Sequence, residues 1–384
     1  MLAQALMEAD VTGHVGAARG ERNPQGRATQ RNGYRERRWD TRLGTVDLAI
    51  PKLRQGSYFP DFLLEPRRRA EKALASVVMQ AYVEGVSTRR VDDVAKSMGV
   101  DGISKSQVSR ICSELDETVE DWRTRPLDDG PYPFMWVDAM VLKVREGGRI
   151  VNTSALIATA VNAEGHREIV GLQLGSAETG ASWTAFLRDL VARGLHGVQL
   201  VTSDAHGGLK DAIAAVLEGA QWQRCRTHFT ANLLDRIPRH DQPMVGTLVR
   251  TIFAQQRPGD AWDQLHRVVD QLGEIYPEAA RMLAEAAEDI LAYTAYPKEI
   301  WRRLWSNNPQ ERLNREVRRR TDVVGIFPNR PAVIRLVGAV LAEQHDEWQI
   351  GRRYMNQSTI REALITIIDT TTEEEPQELQ AASA

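Results

Sequence analysis

The chain has 384 residues, of which 42% are hydrophobic and 26% are charged, and it contains two cysteines. This length predicts two or three domains, no apolar run is long enough for a membrane span, and two cysteines exclude a disulfide scaffold. The net charge of −3 conceals arginine-rich runs within residues 19–42, 67–69 and 312–320, while an acidic run lies in the tail. These runs predict local phosphate binding by a near-neutral chain, with solvated surfaces as the alternative. The N-terminus lacks the layout of a secretory signal, so we expect a cytoplasmic protein.

The first 125 residues divide into two segments. Residues 1–66 are rich in Gly and Arg and contain one predicted strand, 44–50, ending at Pro51. Residues 67–125 have a helical pattern, in which Ser87 and Ser104 would cap two helices of a helix-turn-helix DNA-binding domain. A plain helical hairpin is the alternative. The second helix would contact DNA through Lys105, Ser106, Gln107 and Arg110.

After a linker at 126–133 the pattern changes to strands alternating with helices. Predicted strands cover a segment from Phe134, then 150–161, 168–174, 198–203 and 221–225, with helices at 182–194 and 209–217. This order predicts an α/β fold, with an RNase H-like mixed-sheet core whose first part spans 130–228. Residues 229–305 predict an all-helical insertion, 306–368 the C-terminal helices of the core, and 369–384 a disordered acidic tail.

Acidic residues end two of the predicted strands. Asp138 and Asp204 would end the first and fourth strands, which lie side by side in an RNase H-like order, so we expect their carboxylates to meet and attract Mg²⁺. Turn capping is the alternative for each. The third ligand would come from a helix that carries both Glu311 and Glu316. These lie about 140° apart around a helix, so both cannot face one site, and periodicity does not decide between them.

The spacing Cys225-Arg-Thr-His228 is also typical of zinc ligands. A structural zinc site needs four ligands, however, and the second cysteine, Cys112, fits a helix core, so the sequence disfavours zinc. We expect instead that His228 and His206 lie near the carboxylates and bind water or phosphate.

The chain resembles the Mutator-like insertion-sequence transposases of bacteria over nearly its full length. The resemblance rests on seven stretches in the same order: IPKLRQGSYFP, VEGVSTRRVDDV, GISKSQVSRICSELD, WVDAM, VTSDAHGGL, QRCRTHF and ERLNREVRRRTDVVGIFPN. It implies a DDE enzyme with an RNase H-like core, in which Asp138, Asp204 and Glu311 are the catalytic and metal-binding residues. The Cys-x-x-His of the family falls on Cys225 and His228, near the site but outside the triad. Relatives usually carry extra helical residues before the Gly/Arg-rich segment, so we expect a missing part or a misplaced start here.

The expected function is therefore DNA transposition. The enzyme would bind the terminal inverted repeats of an insertion sequence, cleave DNA with two Mg²⁺ ions (Mn²⁺ as a substitute) and join the 3′-hydroxyl to a target. A homodimer or larger assembly on the nucleoid is expected. Further DNA contacts would come from Arg35, Arg37, Arg38, Arg315, Arg318 and Arg319. The alternatives are a helix-turn-helix regulator without catalysis and a nuclease without strand transfer.

Overall fold

The computed structural model describes residues 2–17, 21, 26–41, 44–56, 58, 60, 79–81, 83, 114–128 and 130–372. The chain divides into two units, one of residues 1–119 with 319–325 and one of 120–318 with 326–384. The predicted helix-turn-helix, with Lys105, Ser106, Gln107 and Arg110, lies outside the described residues and stays a prediction.

The first unit contains a helix and a two-stranded antiparallel hairpin. These are α1 (Leu2–Val15), β1 (Arg31–Thr41) and β2 (Gly44–Leu53). Met7, Val11 and Val15 recur at helical spacing and are buried, and the Tyr34 hydroxyl of β1 donates to Glu8 of α1 at 2.7 Å. The sequence pattern missed both α1 and β1, and β2 runs through Pro51 to Leu53 instead of ending at the proline.

A mixed sheet with helices on both faces forms the second unit. After α2 (Glu114–Thr124), which spans the division between the units, its strands and first helices are β3 (Phe134–Glu146), β4 (Arg149–Val161), β5 (Arg167–Gly175), α3 (Gly180–Ala192), β6 (Leu200–Ser203), α4 (Gly207–Val216) and β7 (Gln221–Arg224). The strand order is β5-β4-β3-β6-β7. β3, β4 and β5 pair antiparallel, whereas β6 pairs parallel with β3 and with β7. The predicted α/β class and these predicted elements are confirmed, with ends that shift by a few residues.

Helices alone follow β7 until residue 326. They are α5 (Arg226–Leu234), α6 (Gln242–Phe253), α7 (Pro258–Gly273), α8 (Pro277–Glu285), α9 (Ala287–Leu291), α10 (Trp301–Leu304) and α11 (Asn308–Val324), with 3₁₀ turns at Ala292–Ala295 and Lys298–Ile300. A short strand β8 (Ile326–Phe327), which pairs with β3, then precedes α12 (Arg330–Ile350) and α13 (Gln357–Thr372). Residues 369–372 are therefore helical, where the sequence predicts the disordered tail. None of the described helices has the length and apolar character needed to cross a bilayer.

Alternate residues of β3 face two different hydrophobic cores, as the pleat of a strand requires. Met135 and Val137 belong to the core that includes the buried face of α3, which the sequence predicts as Trp183, Phe186, Leu187 and Leu190. Phe134 and Trp136 belong to the core formed with the helices that follow β7. Asp138 shares the parity of Trp136, so it points towards those helices.

The helices α3 and α4 approach each other closely at two glycines. Gly180 begins α3 and Gly208 lies in the first turn of α4. A Cβ added at Gly208 would lie 2.7 Å from the Cα and N atoms of Gly180, whereas one added at Gly207 would meet nothing within 4 Å. Close contact of the two helix starts therefore requires glycine at 208 but not at 207.

We expect Gly208→Ala to lower the free energy of unfolding by about 1–3 kcal/mol, since overpacking forces the backbone apart. Gly207→Ala is the matched control and should change it by less than about 1 kcal/mol. Urea unfolding followed by tryptophan fluorescence measures both. Equal effects of the two substitutions would contradict the close approach of α3 and α4.

Candidate active site

Strand pairing places two aspartates beside each other. β3 pairs with β6 in parallel, with Trp136 opposite Thr202. Two residues further along the same register, Asp138 and Asp204 fall side by side, on the face shared with Trp136. Asp204 directly follows the end of β6, as predicted, but Asp138 lies inside the 13-residue strand β3 rather than at its end. Adjacent strands thus bring the carboxylates together without Asp138 terminating its strand.

A polar stripe on α11 and the residue before it attaches this helix to the sheet. Asn307, Gln310 and Asn314 are buried. Asn307 Nδ2 donates to the carbonyl of Val137 at 3.3 Å, and Gln310 Oε1 accepts from the Thr159 hydroxyl at 3.0 Å. Because polar groups lose their water on burial, these hydrogen bonds fix where the first turns of α11 can sit. These hydrogen bonds also position Glu311, which lies in the same stripe, near Asp138 and Asp204.

Asp138 is a partly buried carboxyl that two donors hold in place. Its Oδ1 accepts from the Ala139 N–H at 2.9 Å and its Oδ2 accepts from Asn314 Nδ2 at 2.6 Å. Burial, with smaller contributions from the nearby negative charges of Asp204 and Glu178, raises the pKa of Asp138 to about 6. The sequence reasoning missed both Asn314 and Glu178. The repeat 307, 310, 311, 314 is a helical polar stripe that could have revealed Asn314, whereas no comparable signal marks Glu178.

His228 lies between two of the predicted carboxylates. Its Nδ1 contacts Asp204 Oδ1, and its Nε2 lies 3.7 Å from Glu311 Oε1. The hydrogen bond to Asp204 is the main cause that raises the pKa of His228 to about 10, followed by the one to the thiol of Cys225. The imidazole is therefore a cation at neutral pH, and it offsets part of the negative charge gathered here.

Cys225 is buried behind His228, at the start of α5. Its Sγ accepts from the Asn307 backbone N–H at 3.2 Å. Ligand atoms of Asp204, Cys225 and His228 all lie within 4.8 Å of one another. Asp204 was not predicted as a neighbour of Cys225 and His228, since the Cys-x-x-His spacing indicates only a second cysteine pair as further metal ligands.

The remaining candidates are His206, Glu316 and the arginines predicted to bind DNA. His206 caps α4, because its Nδ1 accepts from the Leu209 N–H at 3.2 Å, and its predicted contact with water or phosphate stays a prediction. Glu316 is exposed, and helical geometry turns it away from Glu311. The arginines proposed to bind DNA lie in β1 or on α11, and those whose side chains are described are exposed: Arg35, Arg37, Arg315, Arg318 and Arg319. Arg38 lies in β1 with the first two.

Comparisons with known proteins identify similar chains. The family model described as "Transposase, Mutator family" matches residues 1–351. The transposase for insertion sequence element IS1081 of Mycobacterium tuberculosis is 58% identical over 379 residues, covering 99% of this chain and 90% of that one. The transposase for IS256 in transposon Tn4001 of Staphylococcus aureus is 38% identical over 354 residues, covering 91% and 90%. The transposase for ISRM5 of Rhizobium meliloti is 36% identical over 359 residues, covering 94% and 89%.

The hydrogen bond from Asn314 to Asp138 can be tested by a double-mutant cycle. Asn314→Leu removes the donor from a partly buried charged acceptor, so we expect it to lower the free energy of unfolding by about 1.5–3 kcal/mol at pH 8. In an Asp138→Asn background the loss should be smaller, because no carboxylate then needs the donor.

Asn308→Ala is the matched control, since Asn308 is exposed on the same helix. It should change stability by less than about 0.5 kcal/mol. An identical cost of Asn314→Leu with either residue at position 138 would show that Asn314 does not support this carboxylate.

Proposed function

The chain belongs to the Mutator family of transposases, and we propose that it cleaves and joins DNA at the ends of an insertion sequence with Asp138, Asp204 and Glu311 as its catalytic residues. The observation that carries this proposal is the convergence of these three side chains. Asp204 and Glu311 flank His228, and the charge of Asp204 acts on Asp138. They come from a strand, a strand end and a helix that are far apart in sequence.

The topology supports an RNase H-like core. Three antiparallel strands, a helix, a parallel strand, a second helix and a further parallel strand follow one another along the chain. An all-helical segment then separates β7 from α11 within the continuously described residues 130–372. In this arrangement α11, which follows the insertion, would place Glu311 beside β3 and β6, the first and fourth strands of the core.

The donor set fits Mg²⁺. Three carboxylates from separate elements offer the hard oxygen ligands that this ion prefers. Glu311 Oε1 is shielded from solvent and accepts no hydrogen bond from any described residue, which leaves a lone pair for a cation. Two bound ions would activate the attacking oxygen and stabilise the leaving one, with Mn²⁺ as a possible substitute.

The side chains of this protein would hold and orient these groups. Asn314 and the Ala139 N–H fix both oxygens of Asp138, so this carboxylate presents its remaining lone pairs in one direction. His228 keeps Asp204 and Glu311 from repelling each other. First a water and then a freed 3′-hydroxyl would attack the phosphorus in line, so no covalent bond to the protein forms. No Ser or Tyr nucleophile is needed.

We expect arginines of α11 and β1 to bind the DNA backbone. Arg315, Arg318 and Arg319 follow Glu311 on α11, and guanidinium groups bind phosphates in a bidentate manner. Arg35, Arg37 and Arg38 of β1 would add contacts, and the predicted helix-turn-helix would recognise the terminal inverted repeats. Two ends must be joined to one target, so the enzyme would act as a dimer or larger assembly, in the cytoplasm on the nucleoid.

The test is a coupled cleavage and strand-transfer assay with the full chain. A labelled duplex carrying one end of the encoding element is incubated with Mg²⁺ and a plasmid target. We expect Asp204→Asn to slow both cleavage and joining at least about 100-fold, because loss of a metal ligand removes several kcal/mol of transition-state stabilisation. Asp211→Asn, which changes an exposed aspartate of α4, should leave both rates within about twofold.

Each alternative gives a different result in this assay. A helix-turn-helix regulator would bind the end DNA and form no Mg²⁺-dependent product. A nuclease would release cleaved ends in the wild type without joined product. Equal product from wild type and Asp204→Asn would reject the proposed catalytic role.

A further inference from the structure

A second type of metal chemistry lies beside the carboxylates. Asp204, Cys225 and His228 bring a carboxylate, a thiol and an imidazole together, with ligand atoms that all lie within 4.8 Å of one another. These are the three ligand types that bind Zn²⁺, and three protein ligands with one open position form a common zinc arrangement. The thiol also distinguishes this trio from a magnesium site, since thiolate favours softer cations.

We propose that Asp204, Cys225 and His228 form a binding site for Zn²⁺ or a chemically similar transition-metal ion, whose occupation withdraws Asp204 from the Mg²⁺ site. Metal binding itself is independent of the function proposed above, whereas its inhibitory effect rests on that function. The element that supplies two of the ligands explains the arrangement. Cys225 directly precedes α5 and His228 lies in its first turn, so their three-residue spacing places both side chains on one side of the helix start.

The geometry needs little adjustment. A tetrahedral zinc ion keeps its ligand atoms roughly 3.5 Å apart, given bond lengths of about 2.0–2.3 Å. Side-chain movements of about 1 Å would therefore bring the three ligand atoms from their present spacing to the distances of a tetrahedral site. His228 already touches Asp204, so this pair needs only to part around the ion.

The surroundings support a thiolate ligand. The Asn307 N–H donates to Cys225 Sγ at 3.2 Å, and such a donor stabilises sulfur that carries negative charge. Asn307 is itself fixed by its hydrogen bond to the Val137 carbonyl. Cys225 is fully buried, while Asp204 and His228 are partly exposed, so an ion can enter from the solvent side and reach the sulfur.

This site would share one ligand with the catalytic carboxylates. Asp204 cannot complete both metal sites with the same lone pairs, so a bound zinc ion would weaken Mg²⁺ binding. The expected consequence is inhibition of DNA cleavage by Zn²⁺ in the presence of excess Mg²⁺.

The direct test is Co²⁺ binding to the full chain in the absence of DNA, at mildly alkaline pH because the ion must displace protons from Cys and His and higher pH favours this. A cysteine ligand gives a thiolate-to-cobalt charge-transfer band in the near ultraviolet, which Zn²⁺ should remove and Mg²⁺ should not. We expect Cys225→Ser to abolish the band and His228→Gln to weaken Co²⁺ binding at least about 100-fold. Cys112→Ser is the matched control and should retain the band.

Circular dichroism checks that each variant is folded. If Cys225→Ser does not fold, Co²⁺ binding by His228→Gln tests the site instead. Absence of the band in the wild type, or its loss in Cys112→Ser but not in Cys225→Ser, would overturn the zinc site. If the band shows that the metal binds, but Zn²⁺ does not slow DNA cleavage in the presence of excess Mg²⁺, the inhibitory role alone would be overturned. If wild-type protein cleaves no DNA at all, the proposed function fails while the spectroscopic result still decides the metal site.

Discussion

Like charges must be held close together in this fold, and the surrounding structure is organised around that constraint. Parallel pairing of β3 with β6 sets Asp138 and Asp204 on one face of the sheet, and burial together with the charge of Asp204 raises the pKa of Asp138. Two kinds of group offset this cost. Asn314 and a backbone N–H donate to Asp138, and the cationic His228 contacts Asp204 beside Glu311. These groups lower the cost of holding the carboxylates close together.

The third carboxylate depends on a helix that arrives late in the chain. Between β7 and α11 the helices build a core of their own against one face of the sheet, and backbone contacts such as Arg226 N–H to Trp305 carbonyl, at 2.9 Å, tie its two ends together. The polar stripe of α11 then hydrogen-bonds to β3 and β4. A side chain more than 100 residues after Asp204 thus reaches the same place through packing rather than through local sequence.

The sheet and the buried face of α3 could be predicted from sequence because strand alternation and helical spacing are local signals. Asp204 follows a strand end as predicted, whereas Asp138 lies inside β3 and the choice of Glu311 over Glu316 rests on resemblance. Tertiary contacts that leave no periodic trace were missed. Strand β1 is rich in arginine and forms only because β2 pairs with it, and Asn314 matters because of a residue 176 positions away. The proximity of Asp204 to Cys225 and His228 was also missed, because it comes from the pairing of β6 with β7 rather than from local spacing.

We propose that Asp138, Asp204 and Glu311, which are distant in sequence, hold the same ions. A crystal structure of the full chain grown with Mn²⁺, at a concentration that supports activity, tests this proposal most directly. Anomalous scattering should locate manganese within about 2.3 Å of carboxylate oxygens of Asp138, Asp204 and Glu311 together. Manganese bound elsewhere, with any of these three carboxylates left without an ion, would contradict the account.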